Sequence, residues 1–303
     1  MTREDAERLL ALAREADLEG PDAAKWTERL DPKRGQLAEA VRFLAESGAQ
    51  EAAAELAASV WRLWFMSGDV AGGRQLLATA LDGGEQKPSR ARALALYADG
   101  SLAFRAGAMA DSQARNEAAL ETARAIGDRE AEALALVGLS RVAFRAGDYD
   151  RVCSLAAEAR ELTRDLDPAA GAPPLHLLAA GTRLAGDYDK AIDLYTESLE
   201  LNRRLGRERW VGMELHNLGH VELHRGNVAM AKRRFAERAL LPDNDPMDAA
   251  MTDLNNAALA FAHSERERTA ELLARMSSRL DEAGIVLDPD DAFEVGWLQE
   301  RLG

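Results

Sequence analysis

The sequence predicts an all-α fold, an array of helix pairs, on three observations. A glycine-centred phrase returns along the chain: Gly68-Asp69-Val70, Gly107-Ala108-Met109, Gly147-Asp148-Tyr149, Gly186-Asp187-Tyr188 and Gly226-Asn227-Val228. The glycines lie 39, 40, 39 and 40 residues apart, and a sixth copy, with Glu265 in the glycine's place, follows 39 residues later. Such regular intervals mark an internal repeat, which overrides the two-domain expectation for a chain of 303 residues. Runs of strong helix formers with apolar residues three and four apart flank each phrase. Strand signals are lacking, because aromatic residues make up 5% of the chain and no stretch alternates apolar and polar residues for long.

The first 30 residues hold one helix, a Gly20-Pro21 break and a short second helix, and residues 1–48 are expected to form an irregular helical cap. Asp31-Pro32 and Asp245-Pro246 each place a capping residue before a proline suited to the first helical position. Within the array, residues 49–280, each unit reads as two helices around the glycine. An upstream run such as Glu132-Ala133-Leu134-Ala135-Leu136-Val137 ends there, and glycine closes the last turn in the left-handed conformation. Asp69, Asp148, Asp187 and Asn227 then cap the next helix, of which Asp189-Lys190-Ala191-Ile192-Asp193-Leu194-Tyr195 is an example. Asp167 to Pro174, rich in proline and glycine, is expected to be a loop that leaves the register intact. Asp288-Pro289 opens a final helix through Trp297 and Leu298, expected to cap the array over residues 281–303, so the whole reads as one continuous domain.

Composition excludes several classes of function. Lys plus Arg number 38 against 52 Asp plus Glu, a net charge of −14, which argues against nucleic-acid binding through a broad basic surface. No run approaches 18 consecutive apolar residues and the N-terminus is charged, so neither a membrane span nor a secretory signal is expected. The single cysteine, Cys153, beside Val152 and Leu155, reads as a small core residue. The expectation is a cytoplasmic protein.

Small residues occupy one slot seven before each anchor: Gly100, Ser140, Ala179, Gly219 and Ala258, with Trp61 the departure in the first unit. Ala191, Ala231 and Ala270 sit five after it, and Phe65, Phe104 and Phe144 recur three before it as core residues. Trp61 and Trp64 read the same way. This pattern resembles the tetratricopeptide repeat (TPR) family, which implies a right-handed superhelical solenoid. The period near 40 is similar to that of the long-helix TPR sensor regions of large bacterial NTPase-type transcription regulators. So are Glu28-Arg29-Leu30-Asp31, Val60-Trp61-Arg62-Leu63-Trp64, Gly73-Arg74-Gln75-Leu76-Leu77 and Leu215-His216-Asn217-Leu218-Gly219. No Gly-x-x-x-x-Gly-Lys-Ser/Thr is present, so the resemblance extends to the sensor portion alone.

The resemblance implies that the first helix of each pair lines a concave surface, with columns ten, six and two residues before the anchor. The first column reads Ala58, Tyr97, Val137, His176, His216 and Asn255; the second, Arg62, Ser101, Arg141, Ala180, His220 and Leu259; the third, Met66, Arg105, Arg145, Leu184, His224 and His263. All five histidines and four arginines fall there, with no Asp or Glu. A locally basic groove on an acidic protein suits an acidic protein segment, since guanidinium groups fork onto carboxylates. The candidate groove residues are Arg62, Tyr97, Arg105, Arg141, Arg145, His176, His216, Asn217, His220 and His224. The competing reading pairs these residues with neighbouring acids such as Asp99, Glu214 and Glu222.

His216, His220 and His224 also form His-x-x-x-His pairs, a spacing that chelates transition metals. No third ligand type or His-Glu-x-x-His accompanies them, so no metal or cofactor is assigned. No nucleophile elbow, dinucleotide fingerprint or paired-carboxylate signature appears, so catalysis is not expected. The reading is a regulatory adaptor or sensor that binds a protein segment. The alternative is a small-molecule sensor or enzyme using an enclosed cavity of the same superhelix, marked by a sealed pocket of several hundred Å³.

Overall fold

The computed structural model describes residues 1–20, 22–83, 87–241, 246–283 and 286–303, and among these it holds helices and no strand. Pro21 and the Asp245 cap lie outside the described residues. Seventeen α-helices follow in order among the described residues: α1 (Arg3–Glu15), α2 (Ala23–Leu30), α3 (Arg34–Glu46), α4 (Gln50–Val60), α5 (Arg62–Ser67), α6 (Val70–Leu81), α7 (Arg90–Arg105), α8 (Met109–Ile126), α9 (Arg129–Arg145), α10 (Tyr149–Thr163), α11 (Pro168–Leu184), α12 (Tyr188–Arg204), α13 (Glu208–His224), α14 (Val228–Arg238), α15 (Pro246–Ala262), α16 (Arg266–Ala283) and α17 (Pro289–Leu302). They group into two compact units, one of Met1–Ala143 with Ser154–Pro174, the other of Phe144–Cys153 with Leu175–Gly303.

The repeated phrase is the joint between paired helices. Gly68, Gly107, Gly147, Gly186 and Gly226 all have φ between 74° and 91°, a conformation that a Cβ disfavours. The next residue caps the following helix: Asp69 accepts from the Gly72 N–H at 3.0 Å, Asp148 from Arg151 at 3.1 Å and Asp187 from Lys190 at 3.2 Å. Asn227 does the same for Met230 at 3.4 Å.

The sixth joint is displaced by one residue from the expected position. Ser264, not Glu265, takes the left-handed conformation, with φ 64°. Its register therefore makes Thr269, fully buried, the counterpart of Ala191 and Ala231, while Ala270 is exposed. Two further expectations are corrected. Asp167 to Pro174 is mostly helix: Pro168 starts α11, Asp167 accepts from the Ala169 N–H at 2.8 Å, and Pro173 and Pro174 lie inside. Those prolines cost bonds only in the first two turns, and buried Ala172 and Leu175 hold that segment by packing. Asp31 does not open α3 as a cap; a 3-10 turn over Asp31–Lys33 joins α2 to α3, and its carboxylate pairs with Arg34 at 2.9 Å. At Trp61, whose buried indole fills a slot that other units keep small, α4 passes into α5 with the backbone still helical, φ −54° and ψ −27°.

That slot is tight elsewhere. A Cβ on Gly219 would lie 2.1 Å from the Phe235 ring, and one on Gly100 2.5 Å from the Asn116 amide. In the first unit core, Leu37, Leu56, Leu77, Leu96 and Leu102 are fully buried; in the second, Leu199, Leu215, Leu218 and Leu254 are. No helix among the described residues is long and apolar enough to cross a membrane.

Candidate functional site

In the second unit, α13 places His216, His220 and His224 one turn apart on a single face. Facing them are His176 and Arg183 of α11 and the first turns of α17, which bring Asp290, Asp291 and Glu294. Pro289 at the first helical position sets α17's start, and the acids after it suit the positive end of the helix dipole. Asp291 and Glu294, three residues apart, share one face with the buried Leu298.

The bonds converge on two carboxylates. Glu294 accepts from the Arg183 guanidinium and from His224 Nε2 at 2.8 Å, and His220 Nδ1 approaches its other oxygen to 3.2 Å. His216 Nε2 donates to Asp291 at 2.8 Å. The second Arg183 arm donates to Asn217 Oδ1 at 2.6 Å, and His220 Nε2 faces Asn255 Oδ1 at 3.2 Å. His224 stacks on Tyr188 at 5.2 Å and meets the Trp297 edge at 4.9 Å. Nearly all of this is buried: Arg183 is 1% exposed, His216 and His220 0%, Glu294 2% and Asp291 5%.

Burial and charge act against each other here. Burial pushes the Glu294 and Asp291 carboxyls up, but Arg183 with His220, and His216 respectively, more than offset it and hold both below their ordinary values. Burial likewise opposes the Arg183 charge, and Glu294 overcomes it. For Asp290, burial and the adjacent Asp291 outweigh the attraction of Arg183 and raise it to about 6. Burial lowers His220 to about 4, so it is neutral at pH 7. Arg183 Nε, the Tyr195 hydroxyl, His216 Nδ1 and His220 Nδ1 are buried without an aligned hydrogen-bond partner among the described residues. The Glu294 approach to His220 is close but out of line.

The other sequence-derived candidates lie in several settings. His176 donates through Nδ1 to Glu214 at 3.0 Å, and Glu214 also accepts from Ser198 at 2.6 Å, so the neighbouring-acid pairing holds there. Arg145 donates to the Leu287 carbonyl at 2.8 Å and to Asp288 at 3.1 Å, just before α17. Asp99 is matched with Arg74 and Arg115, at 3.1 and 2.8 Å, and Glu222 with Asn227 at 3.0 Å. In the first unit, Arg62 lies over the Trp61 ring at 4.6 Å and pairs with Glu19, while Tyr97 meets Trp61 edge-on. They line a half-open cleft of about 210 Å³, smaller than the sealed pocket that marks the small-molecule alternative. Arg105 lies over the Phe65 ring at 4.5 Å, and Arg141 is half-buried with no ion-pair partner among the described residues. His263 is exposed, its ring bonded to the Leu259 carbonyl at 2.7 Å, because the shifted sixth joint takes it out of the column.

Two parts of the cluster were not anticipated. Arg183 sits three before its glycine, the slot of Phe65, Phe104 and Phe144; a cation in an otherwise apolar column was the available signal. The sequence marks α17 only as a capping helix, and the fold brings its acids to α13. Among the described residues no set of three or more His, Cys, Asp or Glu side chains is placed to hold a metal ion. Cys153 is half-buried beside Thr182, 3.8 Å away.

The fold is of the TPR type. The chain is similar to a Rap protein crystallised in complex with Competence and Sporulation Factor, at 13% identity over 97% of this chain and 80% of that one, with a TM-score of 0.63. It is similar to NprR in complex with its cognate peptide NprX, at 15% identity over 98% and 82%, TM-score 0.61. A tetratricopeptide repeat protein from Parabacteroides merdae matches over 98% and 99% at 14% identity, TM-score 0.58. No family model and no curated protein matches the sequence.

Proposed function

We propose that the chain is a non-catalytic recognition module, a regulatory adaptor or sensor, that binds an acidic protein segment through the Arg183, His216 and His224 cluster. One observation carries this reading: the cluster already binds carboxylates, holding Asp291 and Glu294 through charge-assisted and imidazole hydrogen bonds. Further support comes from the solved structures of similar fold whose ligands are a peptide and a named factor. The guanidinium and imidazole donors of the cluster are arranged to hold an anion.

The test is selection of peptides from a random helical library, on the full chain and on the chain carrying Asp291→Asn with Glu294→Gln. Recovered peptides rich in Asp and Glu pairs on at least one of the two support the reading. Recovery of neutral or basic peptides alone from both contradicts it.

A further inference from the structure

We infer that α17 is an internal stand-in for the partner: its Asp291 and Glu294 occupy in cis the site that an acidic helix with carboxylates three residues apart takes in trans. This rests on the proposed function and adds to it the shape of the ligand and the means by which the site is held closed.

Asp291 and Glu294 lie on one face, one turn apart, and each meets a different imidazole of α13, itself a helix with His216 and His224 two turns apart. Helix registers of this kind select a helical ligand, since an extended segment places alternate side chains on opposite sides. Aromatic flanks complete the seat: Trp297 and Phe293 approach the His224 ring at 4.9 and 5.6 Å.

The fit is incomplete, and the shortfall is in the polar contacts. Arg183 Nε and His216 Nδ1 lack an aligned hydrogen-bond partner among the described residues, His220 Nδ1 is out of line with Glu294, and Asp290 is buried beside the like charge of Asp291. Unmet buried polar groups and two adjacent acids weaken the seated state. Tethering compensates, because a segment on the same chain acts at an effective concentration on the order of millimolar. A poor ligand on a tether is displaced by a better one in solution. A partner helix that keeps the carboxylate pair and lacks the crowding acid at the position of Asp290 is that better ligand. Arg145, bonded to Leu287 and Asp288, pins the segment that leads into α17.

The test uses a fluorescein-labelled peptide of residues 286–303 and the full chain, read by fluorescence anisotropy. The protein is used as wild type and with Asp291→Asn plus Glu294→Gln, each checked for helicity by circular dichroism. The expected result is binding at least tenfold tighter to the double variant than to wild type. A peptide that itself carries both substitutions is expected to bind that variant at least tenfold more weakly than the unsubstituted peptide does, a comparison made on one and the same protein. Equal affinity for the two proteins overturns the inference, as does absence of binding to the double variant. Selection of acidic peptides in the library experiment together with either of those outcomes retains the proposed function and removes only the internal occupancy.

Discussion

Arg183 and Glu294, 111 residues apart in sequence, form a buried ion pair that fastens the last helix of the chain to α11. Arg183 stands where the first three repeats place phenylalanine, so the pair sets a charged contact in a column that is otherwise apolar. Removing one member of such a pair leaves an uncompensated buried charge, which costs about 3–5 kcal/mol, whereas replacing both with apolar residues is often neutral. Glu294→Leu is therefore expected to lower stability by about that amount. Arg183→Phe together with Glu294→Leu is expected to recover most of it. Urea unfolding followed by circular dichroism measures both.

The cluster holds two groups whose protonation pulls stability in opposite directions. Asp290, raised to about 6 by burial and Asp291, binds a proton in the folded chain that the unfolded chain has released. Its contribution is present at low pH and lost as pH rises through about 6. His220, lowered to about 4 by burial, stays neutral while the unfolded imidazole protonates below 6.5. Its effect is a loss of stability as pH falls from 6.5 toward 4. Their effects on stability therefore oppose each other across this range of pH in wild type. Asp290→Asn is expected to lose stability steeply between pH 6.5 and 4.5, and His220→Gln to gain it, in thermal melts at fixed ionic strength. Parallel profiles for the two variants would count against this arrangement of the buried groups.

Much of the array was legible because its signals are local. The glycine spacing, the Asx caps and the small slot each act through backbone geometry within a few residues, and all three reappear at Gly147, Asp148 and Ser140. The sixth joint lies one residue before the expected Glu265 because Ser264 adopts the left-handed conformation without being glycine. The proline-rich start of α11 carries the signals of a loop yet is helical, because packing of Ala172 and Leu175 overrides the local cost of Pro173 and Pro174. The histidines of α13 were found as a column, but their partners were not. Asp291 and Glu294 reach them only through the tertiary path of α17, which has no period for the sequence to reveal.

Backbone strain at Ser264 gives a direct check of the corrected register. A non-glycine residue in the left-handed region costs about 1 kcal/mol. Ser264→Gly is expected to raise stability by about 0.5–1 kcal/mol, offset in part by the greater freedom of glycine in the unfolded chain. Glu265→Gly is expected to lower it, since that residue has no left-handed turn to relieve. Differential melting of the two variants distinguishes them.

Close packing at Gly219 makes another. A methyl group there would meet the Phe235 ring at 2.1 Å, too near for the ring to accommodate without shifting. Gly219→Ala is expected to destabilise by about 1–3 kcal/mol, the usual range for overpacking. Gly219→Ala with Phe235→Leu should recover part of that loss. Chemical denaturation reports both.

The central claim, that the Arg183 and histidine cluster receives an acidic helix and that α17 holds the place, is tested most directly by hydrogen–deuterium exchange on the full chain. Exchange is followed over residues 289–302 and 208–224, with and without an excess of an acidic helical peptide bearing carboxylates three residues apart. The account predicts faster exchange in 289–302 on adding peptide while 208–224 stays protected. Unchanged exchange in 289–302 at saturating peptide would contradict it.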